Sequence, residues 1–148
     1  MLIDIDPILS PKLLSALRSM GHGDTLVLAD ANFPSSSLAK RLVRLDGIDI
    51  PKAAKAILSV FPLDSFVDYP VTRMEIDNNP EEINDVHTDF INILKETSGN
   101  KWKIGTTERL QFYKEAKEAY AIVSTTDARA YGCFILTKGV IKPDGSVW

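Results

Sequence analysis

One segment decides the fold of this chain: Met20-Gly21-His22-Gly23-Asp24-Thr25-Leu26-Val27-Leu28-Ala29-Asp30-Ala31-Asn32-Phe33-Pro34. Its middle, residues 25–29, is a short apolar run that is typical of a strand buried on both faces. Gly21 follows an amphipathic helix and is predicted to form its left-handed cap. Pro34 prevents an immediate return to regular structure. His22 and Asp30 flank the strand, and ligands of open α/β folds bind beyond strand carboxyl ends. Tertiary structure decides whether the two side chains meet.

Helices and short apolar strands alternate along the rest of the chain. Helix starts are predicted at Ser10-Pro11, Pro51, Asn79-Pro80 and Thr107. Strands are predicted at Leu42–Leu45, Val71–Ile76, Trp102–Ile104, Tyr120–Ser124 and Phe134–Leu136. This alternation predicts an α/β fold whose sheet is covered on both faces. We expect a single domain over residues 1–148, with a turn-rich tail from about residue 141, whose end is either frayed or docked.

Composition excludes several classes of partner. The chain is 45% hydrophobic and 25% charged, which is average for a globular protein. A net charge of −3 gives no basic footprint for nucleic acid or an anionic membrane. No apolar run approaches the roughly 18–20 residues of a membrane span, and the opening MLIDIDPILS does not have the pattern of a signal peptide. The single cysteine fits a reducing compartment, so we expect a cytoplasmic protein.

Familiar catalytic motifs do not occur in the sequence. There is no G-x-G-x-x-G dinucleotide fingerprint, no phosphate-binding G-x-x-x-x-G-K-[ST] and no G-x-S-x-G nucleophile turn. The two histidines and the one cysteine lie too far apart in sequence to give a metal-ligand spacing. We therefore predict neither cofactor nor metal, which leaves acid–base chemistry or plain binding.

Four polar residues near the predicted ends of helices and strands have two interpretations each. His22 suits a general acid or base, because histidine exchanges protons near neutral pH, but it could also satisfy backbone groups of a turn. Asp30 and Asp64 could accept hydrogen bonds from a ligand hydroxyl or cap the turns that they enter. Asp24 could orient His22 or simply sit at the start of the strand.

Five further residues carry weaker signals. Tyr113 and Tyr131 offer flat faces for a sugar ring, but on their own they are better explained as aromatic residues at the edge of a core. Arg109 is poorly placed for the dipole of the helix it starts, which favours contact with a ligand or carboxylate. Cys133 is expected to be a small buried hydrophobic residue. His87, in an acidic helix, is expected on a solvated surface.

A series of short stretches resembles the fucose mutarotase / ribose pyranase family. These stretches are Met20-Gly21-His22-Gly23-Asp24, Ala29-Asp30-Ala31-Asn32-Phe33-Pro34, Arg44-Leu45-Asp46-Gly47, Pro62-Leu63-Asp64, Arg109-Leu110-Gln111-Phe112-Tyr113, Tyr120-Ala121-Ile122-Val123, Tyr131-Gly132 and Lys138-Gly139-Val140. They occur in the family's order from about residue 2 to residue 140. Gly23, the second glycine of Gly21-His22-Gly23-Asp24, and the Phe33-Pro34 loop favour the fucose branch.

The resemblance implies a function and an assembly. Members of the family interconvert the anomers of reducing sugars without cofactor or metal, on a three-layer α/β/α domain. They assemble into rings, commonly decamers, with sites at subunit boundaries. The resemblance thus implies a monosaccharide substrate and a ring-forming homo-oligomer. Two alternatives stay open, which are ribose pyranase chemistry and a sugar-binding ring without useful catalysis.

The resemblance also assigns roles to individual residues. His22 looks like the catalytic histidine, and Asp64 looks like its catalytic partner. The positions that look sugar-contacting are Asp30, Met74, Arg109, Tyr113, Tyr131 and Cys133. The fucose branch usually has asparagine where this chain has Cys133. Since cysteine is a much weaker hydrogen-bonding group than asparagine, this departure puts the preferred sugar in question more than the reaction.

Overall fold

The computed structural model describes all residues from 1 to 148 and contains one six-stranded sheet and five helices. The strands are β1 (Thr25–Ala29), β2 (Leu42–Leu45), β3 (Val71–Met74), β4 (Ile104–Thr107), β5 (Ala121–Thr125) and β6 (Phe134–Thr137). The helices are α1 (Pro11–Ser19), α2 (Ser35–Leu38), α3 (Ile50–Leu58), α4 (Asp85–Ser98) and α5 (Arg109–Glu118). None of these helices is long and apolar enough to cross a bilayer.

The sheet has the order β2-β5-β1-β6-β3-β4, which places β1 near its centre. β1 pairs with β5 in parallel, β2 with β5 in parallel, and β3 with β4 in parallel. β6 runs antiparallel to both of its neighbours, β1 and β3. Five strands therefore end at one edge of the sheet, and β6 alone ends at the opposite edge.

Alternate residues of β1 face two separate cores, which is why the whole strand is apolar. Leu26 and Leu28 belong to the larger core, under α1, α3 and α4. Val27 and Ala29 belong to the smaller core, under α2 and α5. The buried strand thus lies between two helical layers, and the three-layer α/β/α fold expected from the sequence is confirmed.

Helix starts follow the predicted caps in two places and depart from them in two others. Ser10 caps α1 by accepting a hydrogen bond from Leu13 N, and Pro51 lies in the first turn of α3. The start predicted at Asn79-Pro80 is wrong, because α4 begins at Asp85 with Asn84 as its cap. Thr107 ends β4 instead of capping α5, and Glu108 supplies that cap.

Three local features near the strand ends also differ from the sequence expectations. The left-handed glycine after α1 is Gly23, with φ of 83°, and not Gly21. The loop after β1 contains the short helix α2. β4 begins at Ile104 and not at Trp102, and β3 ends at Met74, two residues before Ile76.

The segment from residue 141 folds back on itself. Ile141 forms an antiparallel bridge with Val147, and the intervening turn contains Gly145 at φ of 86°. Trp148 donates its backbone N–H to Val140 O and stacks on Phe66 at 6.1 Å between ring centroids. The tail is therefore docked, beside the loop that follows Asp64.

Candidate functional site

His22 and Asp64 meet at the amino end of β1. His22 Nε2 lies 3.1 Å from Asp64 Oδ2, which allows a charge-assisted hydrogen bond when the ring is protonated. The side chain of Asp64 is only 3% exposed, whereas that of His22 is 49% exposed. Asp64 Oδ1 also accepts the backbone N–H of Phe66 at 3.0 Å. A fixed, buried carboxylate therefore orients an imidazole that solvent or a ligand can reach.

The carboxyl end of β6 joins the two segments that carry this pair. Gly23 N donates to Lys138 O at 2.9 Å, and Asp64 N donates to Thr137 O at 3.1 Å. Gly139 follows directly and donates to Pro62 O at 2.8 Å. A side chain at Gly139 would overlap the Leu63 carbonyl and the Asp64 backbone. Gly139 belongs to the sequence motif Lys138-Gly139-Val140, but the sequence alone did not reveal this steric requirement for glycine.

Of two other side chains near His22, the sequence suggested Asp24 as a partner and the structure adds Phe66. Asp24 does not bond to His22, because its Oδ2 accepts the backbone N–H of Gly21 at 2.7 Å and closes the turn. Phe66 was not singled out in the sequence, yet its ring packs edge-on against His22, with ring centroids 5.5 Å apart. Phe66 and Trp148 are each more than half exposed, so an aromatic surface lies beside the catalytic candidate.

A cavity of about 500 Å³ opens beside His22, but its lining is poorly suited to binding a sugar. Its walls are mostly apolar, from residues such as Leu14, Leu17 and Val60. Its lysine, Lys138, already donates its Nζ to the carbonyls of Leu17 and Met20. A polyhydroxylated ligand would find few partners there, since each buried hydroxyl needs a hydrogen bond.

The predicted sugar-contacting residues lie together at the opposite edge of the sheet. A cavity of about 180 Å³ there is lined by all six: Asp30, Met74, Arg109, Tyr113, Tyr131 and Cys133. The topology brings them together, because β1, β3 and β4 end at this edge and β6 begins there. This is the edge at which ligands of α/β folds bind.

Asp30 is almost wholly buried at the base of this cavity. Its Oδ1 accepts the backbone N–H groups of Asn32 at 2.8 Å and Phe33 at 3.1 Å. Its Oδ2 lies 3.4 Å from Cys133 Sγ. Burial raises the pKa of the Asp30 carboxyl, and burial together with the Asp30 charge raises the pKa of the Cys133 thiol. Cys133 is thus a buried, protonated thiol whose weak S–H group faces a carboxylate.

Three larger side chains form the walls of the cavity. Arg109 is exposed and makes no ion pair, and its Cζ lies 5.8 Å from the Tyr113 ring centroid. Tyr131 has a left-handed backbone, with φ of 63°, and its hydroxyl donates to Asp77 Oδ1 at 2.6 Å. That hydrogen bond raises the pKa of the Tyr131 hydroxyl. The free guanidinium and the two aromatic faces suit the polar and apolar sides of a sugar ring.

The two groups of candidates do not meet within one chain. They lie at opposite ends of β1, a strand of five residues, which spans about 17 Å at roughly 3.3 Å per residue. A single sugar ring cannot contact both groups at once. The side chains of His22 and Asp30 therefore do not meet within a single subunit.

His87 is where the sequence interpretation was wrong. The residue is fully buried, and its Nε2 lies 2.8 Å from the backbone oxygen of Tyr131. Burial lowers the pKa of its imidazole. A usable signal existed in the sequence, because His87 lies three residues before Phe90 and seven before Leu94 and so shares their buried face.

Comparison with known proteins shows the family of this chain. Residues 3–141 match the RbsD / FucU transport protein family. The chain is 41% identical to a protein of Haemophilus influenzae (strain 86-028NP) named L-fucose mutarotase, over 95% of this chain and 97% of that one. It is also 41% identical to the Homo sapiens protein named fucose mutarotase, over 93% of this chain and 92% of that one.

Solved structures of related proteins superpose on this chain over nearly its full length. The fucose mutarotase of Streptococcus pneumoniae in complex with L-fucose superposes with a TM-score of 0.88 at 39% identity, covering 95% of this chain and all of that one. Bacillus subtilis RbsD complexed with D-ribose superposes with a TM-score of 0.75 at 20% identity, covering 96% of this chain and 100% of that one, so it shares the fold. On its sequence and its structure, this chain belongs to the RbsD / FucU family.

Proposed function

We propose that this protein is a mutarotase, an isomerase that interconverts the anomers of L-fucose by opening and closing the sugar ring. The observation that carries the proposal is the His22–Asp64 pair, an accessible imidazole held at 3.1 Å by a buried carboxylate. Its near-full-length relatives at 41% identity are named fucose mutarotases. The Streptococcus pneumoniae relative is described in complex with L-fucose.

The reaction needs only proton transfers. Ring opening removes the proton of the anomeric hydroxyl and places a proton on the ring oxygen, and closure on the other face reverses both steps. His22 exchanges the proton with one of these oxygens, and Asp64 orients the ring and stabilises its protonated form. A positioned acid–base group of this kind contributes about 10²–10⁴-fold to the rate. No bond to the protein forms, so no nucleophile is required.

The second half of the proposed site binds the sugar. Asp30 accepts a hydrogen bond from a sugar hydroxyl, and Arg109 donates to a sugar oxygen. Tyr113 and Tyr131 pack against the apolar face of the ring, while Met74 and Cys133 complete the cavity wall. The raised pKa of Asp30 makes this carboxyl easier to protonate than an exposed one, so sugar binding should weaken under acidic conditions.

Because the two halves lie at opposite ends of β1, we place the complete site at a boundary between subunits. In this arrangement His22 and Asp64 of one subunit face the cavity around Asp30 and Arg109 of a neighbour. Such head-to-tail contacts close into a ring when the rotation permits, and the family resemblance suggests a decamer. We further propose a cytoplasmic location, with Cys133 as a buried free thiol.

Exchange of the anomeric protons tests the proposed reaction directly. Magnetisation transfer between the α and β anomeric signals of L-fucose should accelerate with the protein present, and D-ribose serves as the second sugar. Faster exchange of L-fucose alone supports fucose mutarotation, and faster exchange of D-ribose alone would replace it with pyranase chemistry. Binding of either sugar without faster exchange would refute catalysis.

Mixing two inactive variants tests the shared site. His22→Asn and Arg109→Met are each expected to be inactive or nearly so at low L-fucose concentration. After joint refolding in equal amounts, roughly a quarter of the boundaries in a randomly mixed ring should pair an intact His22 with an intact Arg109. Activity should recover accordingly if the halves come from different subunits. No recovery, in mixed oligomers verified by native mass spectrometry, would place the site within one chain.

A further inference from the structure

His87 contacts the loop that carries two walls of the sugar cavity. Its imidazole is fully buried, and its Nε2 lies 2.8 Å from the backbone oxygen of Tyr131. A carbonyl oxygen can only accept, so Nε2 carries the proton and donates it. The same oxygen accepts the backbone N–H of Cys133 at 2.8 Å. One carbonyl thus links His87 to both Tyr131 and Cys133.

A second contact from the same helix terminus holds the preceding residue. Asn84, the N-cap of α4, donates its Nδ2 to the backbone oxygen of Ala130 at 3.0 Å while its Oδ1 caps the helix. The first turn of α4 therefore holds two successive carbonyls of the loop. Between them Tyr131 adopts φ of 63°, a conformation that costs free energy for a residue with a side chain. The surrounding contacts must maintain that conformation.

The other nitrogen of His87 shows that this residue is not placed for stability alone. His87 Nδ1 is buried and has no hydrogen-bond partner. A buried polar atom without a partner is destabilising, and an apolar side chain of similar size would avoid that penalty. The ring packs edge-on against Phe134 at 5.8 Å between centroids, and burial together with the positive charge of the buried Arg73 lowers its pKa. The Nε2–H bond to Tyr131 is the feature that an apolar residue could not supply.

We propose that His87 is a positioning residue, whose Nε2–H bond fixes the backbone of Tyr131 so that Tyr131 and Cys133 face the sugar. This assignment rests on the proposed function of the cavity. His87 touches no substrate and transfers no proton. It acts on sugar affinity, while His22 at the other end of the sheet acts on proton transfer.

Two variants of His87 separate positioning from a merely structural role. His87→Leu removes the donor together with the unpartnered Nδ1, whereas His87→Gln keeps an N–H donor. Loss of one such hydrogen bond corresponds to about a twofold to tenfold rise in KM for L-fucose, with kcat unchanged. We expect that rise in His87→Leu and recovery of most of it in His87→Gln. Leu94→Ala, on the buried face of the same helix, is the control that lowers stability without raising KM.

Thermal unfolding and amide exchange provide readouts that do not need the reaction. His87→Leu should melt at the wild-type temperature or above it, since the variant loses an unpartnered polar atom. The amide of Cys133 should exchange its hydrogen faster, because the carbonyl that accepts it is no longer fixed. A histidine with only a structural role would give the opposite result, a lower melting temperature with KM unchanged.

Each outcome decides the assignment. An unchanged KM and unchanged Cys133 amide exchange in His87→Leu would overturn it, and so would an equal rise of KM in His87→Gln. If the wild-type protein accelerates no sugar, the proposed reaction fails, and the amide exchange alone then decides whether His87 fixes the loop. A wild-type protein without activity would refute the proposed reaction. A His87→Leu variant that matches the wild type in KM and amide exchange would refute the positioning role, so the two results are distinguishable.

Discussion

The two ends of the sheet each combine a buried aspartate with a histidine, but they arrange them in opposite ways. At the amino end of β1, the carboxylate of Asp64 bonds directly to His22, whose ring is about half exposed. At the carboxyl end, Asp30 is held by backbone N–H groups and faces Cys133. The histidine of that end, His87, is fully buried and bonds only to the main chain.

In the proposed function, this difference separates the end of the sheet that exchanges protons from the end that binds the sugar. Proton exchange with a substrate requires an accessible ring with a fixed partner, as His22 has. Selective binding requires side chains whose positions are set in advance, as the loop contacts of His87 provide. The same residue types therefore serve different purposes, and burial and bonding partners distinguish them.

The largest effect is expected from His22→Asn. Removing the group that exchanges protons should slow the interconversion of L-fucose anomers by about 10²–10⁴-fold. The fold should be unaffected, because His22 is exposed and its one hydrogen bond is to Asp64. Magnetisation-transfer NMR measures the rate, and calorimetric titration with L-fucose measures the retained binding. Near wild-type exchange in this variant would contradict the division between the two ends.

The next effect is expected from Arg109→Met, at the other end of the sheet. Hydrogen bonds to a charged group are worth about 1.5–3 kcal/mol, so KM should rise by roughly tenfold to 150-fold with little change in kcat. Lys114→Met, an exposed change on the same helix and outside the cavity, is the matched control. If Arg109→Met lowers kcat and leaves KM unchanged, the arginine belongs to the proton-transfer half.

The sequence predicted the layers of the fold because those signals are local. The apolar run of β1 and the Ser10 cap depend on a few neighbouring residues. The start of α4 was missed because Asn79-Pro80 and Asn84 are both capable of beginning a helix. The first of these forms a turn instead, in which Asp77 and Asn78 both have positive φ. Ile76 and Asn79 close this turn with an antiparallel bridge, and Asp77 also accepts a hydrogen bond from the distant Tyr131 hydroxyl, a contact that no local pattern contains.

The site was predicted in part for a similar reason. The resemblance named six residues that line one cavity, and the sequence placed His22 before β1 and Asp30 after it. No residue pattern indicated that Asp64 joins His22 at the amino end of β1, where the end of the antiparallel strand β6 bonds to both segments. The position of Asp64 in turn depends on its long-range hydrogen bond to Thr137. A topology of this kind is fixed by the whole sheet and not by any one motif.

A smaller effect is expected from Gly139→Ala, which changes only the amino end of β1. The added methyl group would overlap the backbone of Leu63 and Asp64. We expect a loss of about 1–3 kcal/mol in the free energy of unfolding and a lower kcat, with KM unchanged. Gly21→Ala is the matched control, because a methyl group there would make only an ordinary contact with Asp24 at 3.8 Å. Denaturant unfolding and exchange rates measure both. A KM change in Gly139→Ala would show that the ends are not independent.

The smallest effect concerns the pH dependence of stability and compares the two histidines directly. Burial lowers the pKa of His87 in the folded protein below its ordinary value of 6.5. As the pH falls through 6.5, the unfolded chain therefore binds a proton at this residue before the folded one does. The free energy of unfolding then decreases, by at most about 1.4 kcal/mol per pH unit for one proton, until the pH passes the folded pKa. This contribution is complete above pH 6.5 and is lost below it.

Variants of the two histidines assign that loss to one of them. His87→Leu removes the group that titrates differently in the two states, so its stability should fall less between about pH 7.5 and about pH 5.5. His22→Asn keeps His87 and should retain the loss. Denaturant unfolding at several pH values measures both slopes. If His22→Asn flattened the profile and His87→Leu did not, then the exposed histidine would be the one whose protonation is coupled to folding. Asp64 would then be the partner to change next, and the contrast between a solvated and a sequestered imidazole would have to be redrawn.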